Sequence, residues 1–123
     1  AAHNGRFYAA PWNAQFFLEI NPASRQVCAL GPDLGNAKEK YCGIAVGCNQ
    51  RLYAVPRNAR RVLELDPSTG TIREIGPDLG GSRSKYEHVV AGANGKLYAA
   101  PWSAQRVLEV DPLTSEVRLV GPD

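Results

Sequence analysis

Three glutamates stand 45 residues apart in this chain, each flanked by aliphatic residues: Leu18-Glu19-Ile20, Leu63-Glu64-Leu65 and Leu108-Glu109-Val110. Repeated carboxylates raise the question of acid–base work. A glycosidase pair needs two carboxyls facing one pocket, whereas here each 45-residue unit supplies one. Pairing with nearby arginines such as Arg51 or Arg73 is the expected use. His88 has no recurring partner and no local Ser or Asp arrangement that would make a triad. Gly80-Gly81-Ser82 is glycine-rich but lacks the strand-to-helix context of a phosphate loop. Three cysteines are an odd number and not a disulfide framework. Cys42 and Cys48, expected in one strand, would lie about 20 Å apart when extended, too far to bridge. With only His3 and His88 beside them and no Cys-x-x-Cys, they do not spell a zinc site, and they are expected as small buried apolar residues. The chain reads as a non-enzyme without cofactor or metal.

The elements that must position these residues recur with the same period. Tyr8, Tyr53 and Tyr98 match, as do Pro11, Pro56 and Pro101. A fixed period in this range marks a repeat architecture whose units cannot bury their faces alone and must stack. Each copy opens on a turn, Asn4-Gly5, Asn49-Gln50 or Asn94-Gly95, because Asn and Gly tolerate positive φ. A short strand follows (Phe7 to Ala10, Leu52 to Val55, Leu97 to Ala100), stopped by the proline, which cannot donate to a ladder. After a polar link come a second strand (17–20, 62–65, 107–110), an Asx-Pro turn and a third strand (26–30, 71–75, 116–120) ended by Gly-Pro. A longer connection leads to a fourth strand, Tyr41 to Cys48 or Tyr86 to Ala93. Gly43, Ala45 and Gly47 suit a strand on a crowded axis. No window holds helical periodicity beyond one turn. Four antiparallel strands in about 45 residues make the blade of a β-propeller. Between positions 4 and 33, eleven residues are identical in all three copies, and most are turn formers or core-sized, as stacking identical blocks demands.

The runs Asn-Gly-Lys-Leu-Tyr-Ala-Ala-Pro at 94–101 and Arg-Val-Leu-Glu-Val-Asp-Pro at 106–112 resemble kelch-like and YVTN-type propeller repeats, of the kind common in algal and protist proteins. The resemblance covers essentially the whole chain. It implies the architecture and, since propellers host many activities, no particular function or site residue. The expected fold is all-β: a partial blade at 1–33, lacking one strand, then blades at 34–78 and 79–123, in an incomplete ring. If each open end held on the order of 500 Å² of apolar surface, its exposure would forgo about 12 kcal/mol. A longer array, a covering protein partner, or self-association into a six-blade ring would each resolve this.

Alternate connections of an antiparallel blade share a side, so the polar links and the long connections lie together, and the Asn and Asx-Pro turns lie opposite. The link side collects Trp12, Lys38, Lys40, Arg57, Arg60, Arg61, Arg83, Lys85 and Trp102 against Asp33, Glu39 and Asp78. Arg and Trp are favoured at protein contacts, and this is the candidate interaction face; the two tryptophans are expected to wedge between blades. The leading function is a scaffolding or protein-interaction module, an accessory subunit or fragment of a larger assembly. The alternatives are a lectin-like propeller fragment using Trp12, Asn13, Trp102 and Ser103, or a portion of a propeller hydrolase. A formal net charge of +2 gives no argument for nucleic acid, and no apolar run is long enough for a membrane span. Ala1 to Gly5 has neither the charged nor the apolar region of a targeting peptide. Cysteine usage leaves the compartment open.

Overall fold

The structure is a computed structural model and describes residues 2–122. It contains eleven strands and, among the described residues, no helix. β1 (Phe7–Ala9), β2 (Phe17–Asn21) and β3 (Gln26–Leu30) form a three-stranded sheet in sequence order. β4 (Tyr41–Val46), β5 (Leu52–Pro56), β6 (Val62–Asp66) and β7 (Thr71–Ile75) form a second sheet. β8 (Val90–Ala91), β9 (Leu97–Ala99), β10 (Val107–Asp111) and β11 (Glu116–Val120) form a third. All pairings are antiparallel, and the sheets are open.

The turns follow from the residues that make them. Gly5, Gln50 and Gly95 take φ of 76°, 68° and 82°. The Asn before each accepts a backbone hydrogen bond from Arg6, Arg51 or Lys96 at 3.0 to 3.1 Å. At the other hairpin, Asn21, Asp66 and Asp111 accept from the N–H groups of Ala23, Ser68 and Leu113. These are Asx-turns that hold the register of the second and third strands.

The sheets stack through two apolar layers. β5 alternates between them: Leu52 and Ala54 face the first sheet, and Tyr53 and Val55 face the third. β6 does the same, with Leu63 and Leu65 in one layer and Val62 in the other. Every residue of β5 is therefore buried, which is the period-2 signature of a strand covered on both faces. The end sheets are covered on one face only, and Phe7 is 47% exposed and Val27 59% exposed.

Two glycines set how closely the sheets approach. A Cβ on Gly43 would lie 2.9 Å from the Glu87 carbonyl oxygen and 3.0 Å from the Val89 nitrogen, so the inner strands meet backbone to backbone. A Cβ on Gly76 would fall 2.4 Å from Val117 Cβ, so the β11 side chain fills the space that glycine leaves.

One expected strand is largely absent. Tyr86 to Ala93 is reduced to β8 and an isolated bridge between Tyr86 and Pro101. The intervening backbone is turned toward the preceding sheet instead. The Tyr86 carbonyl accepts from Cys42 Sγ at 2.9 Å, Glu87 reaches Arg57, and 87–89 lies against Gly43. β4 departs from regular pairing at the corresponding place, between Tyr41 and Ile44.

Gly76→Ala is expected to combine a left-handed backbone conformation with overpacking against Val117, costing about 3 kcal/mol. Gly80→Ala shares the positive φ, but nothing lies within 4 Å of its Cβ position, so it should cost only about 1 kcal/mol. Urea unfolding of the two variants checks the difference.

Candidate functional site

The repeated glutamates do not converge. Each lies on its own sheet and ends a short hydrogen-bonded chain. In the first sheet Asn4 Nδ2 donates to Tyr8 Oη at 2.9 Å, and Tyr8 donates to Glu19 at 2.8 Å. Asn49, Tyr53 and Glu64 repeat this at 2.9 and 2.8 Å, and Asn94, Tyr98 and Glu109 at 2.8 and 3.0 Å. A cation two residues after the Asn completes each set: Arg6 at 2.6 Å, Arg51 at 3.1 Å and Lys96 at 3.7 Å.

The geometry follows from register. Tyr and Glu face each other across the adjacent strands β1 and β2, β5 and β6, and β9 and β10, as in Tyr53↔Glu64. The Asn side chain curls back from the turn, four residues before the tyrosine. A carboxylate set between two aliphatic residues would be costly unpaired, and this constellation satisfies it.

The middle copy reaches further. Glu64, 2% exposed, also accepts from Arg73 at 2.7 Å and from Ser115 in the third sheet at 2.8 Å. Asn49 Nδ2 donates in addition to the Pro112 carbonyl at 2.9 Å. Burial pushes the Glu64 carboxyl upward, but hydrogen bonds from Arg73, Ser115 and Tyr53 outweigh it and hold the group below the usual carboxylate range. Burial also raises the Tyr53 phenol. This pairing matches the expectation for Arg51 and Arg73. Its chemistry is that of a clamp between sheets: the carboxylate stays ionised and every strong donor near it is engaged.

The opposite side carries the residues expected as an interaction face. Backbone bonds bring links and long connections together there, including Lys40 N–H to the Trp12 carbonyl and Leu79 N–H to the Arg60 carbonyl. Lys40 and Lys85 do not belong to the surface. They are 3% and 2% exposed. Each ammonium donates to a carbonyl of its own connection, Ala37 or Ser82, at 2.7 Å. The aliphatic stems fill the layer while the heads replace a turn's missing donors. Burial lowers both ammonium groups, with Arg60 adding to the effect at Lys85.

Arg57 stacks on Trp12 with its guanidinium 4.9 Å from the ring centroid. It pairs with Glu87 and faces Glu39 at 3.6 Å. The hydrogen bond to Glu87 is the main reason its guanidinium binds its proton still more tightly. Arg60 meets Asp78 at 2.8 Å, and Arg61 donates to the Gly76 carbonyl and approaches Glu74. Much of the expected basic excess is thus neutralised locally, partly by Glu74 and Glu87. Lys38 and Arg83 remain exposed, lining an open groove of about 500 Å³ with Asn13 and Asn58.

The tryptophans do not wedge between sheets. Trp12 is partly exposed and Trp102 is 70% exposed. The link backbone bonds to the next connection, as in Lys40 N–H to the Trp12 carbonyl at 2.8 Å and Lys85 N–H to the Arg57 carbonyl at 2.8 Å, and the rings lie outside the apolar layers. Their neighbours are already engaged. Asn13 Oδ1 accepts from Glu39 N–H at 2.8 Å, and Ser103 Oγ donates to the carbonyls of Arg83 and Ser84. The cysteines are not the buried residues expected: Cys28 and Cys48 are exposed and Cys42 is half-buried. Cys28 sits on the outer strand β3 and Cys48 in the turn after β4, where no layer covers them. Among the described residues no three His, Cys, Asp or Glu side chains form a metal-binding group.

No protein-family model and no curated protein sequence matches this chain. Several solved structures do. Virginiamycin B lyase from Staphylococcus aureus is similar over 98% of this chain and 39% of its own, with a TM-score of 0.76 and 14% identity. An auxiliary nutrient binding protein from Bacteroides ovatus aligns over 99% of this chain and 31% of its own, with a TM-score of 0.67 and 20% identity. A luciferin-regenerating enzyme aligns over 98% and 43%, with a TM-score of 0.58 and 18% identity. The chain therefore spans less than half the length of each. At these identities the likeness shows the fold alone, and that fold is of the β-propeller type.

The Glu64 carboxyl is held below its unfolded value. Its contribution to stability is therefore complete above the ordinary glutamate range, near pH 4.3, and is lost as pH falls through the folded value. Glu64→Gln should cost about 2 kcal/mol at pH 7, with a penalty that shrinks below about pH 4. Denaturant titrations of both proteins across pH 3 to 7 check the convergence.

Proposed function

We propose that the chain is a non-catalytic interaction module, a propeller section of kelch-like or YVTN type, whose link side recognises a protein partner within a larger assembly. The observation that carries this reading is the division of labour between the two sides. The recurring polar residues capable of chemistry are spent on tying strands and sheets together. The link side, by contrast, presents Trp102 at 70% exposure. Beside it lies Arg83, whose carbonyl is held by Ser103, and the Lys38 side chain lines the same groove as Arg83. An exposed aromatic on the same side as two exposed cations fits a partner that offers an apolar pocket and acidic groups. The engagement of Asn13 and Ser103 by backbone groups counts against a sugar site at the tryptophans, which would need those polar atoms.

A photo-cross-linking amino acid at position 102, introduced into the protein in the cells that make it, tests the reading. The expected result is one discrete cross-linked protein, lost when Arg83→Glu is added. No cross-link at 102, or glycan binding abolished by Trp12→Ala, would overturn it. Because its ring is largely in solvent, Trp102→Ala should change unfolding free energy by less than about 0.5 kcal/mol. A larger loss in thermal unfolding would mean that the ring is structural.

A further inference from the structure

We infer that the turn side carries an oxyanion site at the junction of the second and third sheets, suited to the phosphate or sulfate group of a small ester. The site lies opposite the links, and the inference does not depend on what the link side binds.

Two arginines whose side chains are about half exposed carry the argument, Arg51 and Arg73. They form the wall shared by two adjoining open grooves. One groove also holds the carboxylates Glu64 and Asp66. The other, of about 450 Å³, is lined by the two arginines, Asn49 and the turn 112–115, and by no acid. That volume is in the range of small-molecule sites. Its walls are internal to the chain: the turn before β5, the strand β7 and the turn before β11. The arrangement occurs once. One period earlier Arg73 and Ser115 become Cys28 and Gly70, and one period later Arg118, the counterpart of Arg73, pairs with Glu116. The first and second sheets share the same apolar recess without it, so stacking alone does not require it.

Glu64 anchors both guanidinium groups and leaves part of each uncommitted. Arg73 donates through Nε to Glu64 at 2.7 Å and through Nη2 to Ser115 at 3.0 Å; its Nη1 has no hydrogen bond among the described residues. Arg51 donates to Glu64 through Nη1 at 3.1 Å, and its Nη2 lies 3.7 Å from Asp66, which leaves Nε. Because the anchor is 2% exposed, the two cations are held in place before a ligand arrives, and binding costs less ordering. They share that one buried carboxylate. Asp66 belongs to the other groove, where Ser68 donates to it. Positive charge is therefore left facing the acid-free groove, in the fork geometry that matches oxyanions. Thr114 accepts from the Glu116 N–H at 3.3 Å, and its own hydroxyl proton remains to donate. Donors thus come from three segments, which suits the several oxygens of a tetrahedral group better than the two of a carboxylate. Leu113, 78% exposed, borders the groove and offers apolar surface to the rest of the ester.

Titration of the 123-residue chain with inorganic phosphate at constant ionic strength, followed through the arginine Nε–H resonances, tests this. Saturable shifts are expected at Arg51 and Arg73. Sulfate should act alike, phenyl phosphate should bind more tightly, and acetate should bind about tenfold more weakly or worse. Arg73→Lys keeps the charge but loses the planar fork, and should weaken phosphate about tenfold. Thr114→Glu, at an exposed turn position, should abolish the shifts while circular dichroism shows an unchanged fold. Arg25→Gln removes an exposed charge from the equivalent turn of the first sheet and should change nothing. Shifts that fail to saturate, that spread over every exposed arginine as an adventitious ion would cause, or that survive Thr114→Glu would overturn the inference.

Discussion

A sheet of short strands has two faces, and in this protein almost everything follows from the need to cover both. The middle sheet achieves it: β5 is buried from end to end, with alternate residues committed to opposite layers. A sheet of four short strands holds too few contacts within itself to offset the entropy of ordering its chain. The apolar layers between sheets supply the remainder. The glycine recess at 31 and 76 and the aliphatic side chain that enters each one fix the spacing and sideways position of successive sheets.

The buried carboxylate is best understood within that constraint. Packing two apolar faces specifies proximity but only weakly specifies register, because hydrophobic attraction is non-directional. The Glu64 cluster adds direction. It joins β5, β6 and β7 to the turn before β11 through hydrogen bonds whose geometry tolerates little sliding. The corresponding first-sheet cluster, with Glu19, Tyr8 and Arg6, stays within its own sheet. The two internal interfaces thus share their apolar recess and differ in their polar bonds.

Much of this architecture was legible in the sequence because it depends on local rules repeated three times. Turns rest on Asn-Gly and Asx-Pro, strand faces on alternation, and the three-, four- and four-stranded sheets on the period. The sites were less legible, since they depend on where long side chains end. Asn, Tyr and Glu recur in all three copies, and their spacing places Tyr opposite Glu across adjacent strands, so the triad could have been found from register. The fate of Lys40 and Lys85 could not. A lysine in a polar connection looks like a surface charge, and only the fold shows its stem turned inward and its ammonium capturing a carbonyl. The tryptophans erred the other way: backbone bonds of the links join successive sheets, and the rings lie outside the apolar layers, Trp12 touching the next sheet only through Arg57.

The positions where the copies depart from one another then acquire a meaning. Residues common to all three copies serve stacking, so they carry little information about what distinguishes this protein. At the link, Trp12 and Trp102 are matched by Arg57, which is drawn into a cluster with Glu39, Glu87 and the Trp12 ring. That substitution removes the aromatic from the middle sheet and uses its replacement to fasten the first. Among the described residues no arginine stacks on Trp102 in this way. The same asymmetry governs the turn series Arg25, Gly70 and Ser115. Gly70 adds no side-chain bond at the first internal interface, Ser115 bonds Glu64 across the second, and Arg25 stands exposed on the first sheet. Specificity in a repeat protein has to be written in such departures, since a perfectly regular array would present equivalent surfaces at every unit.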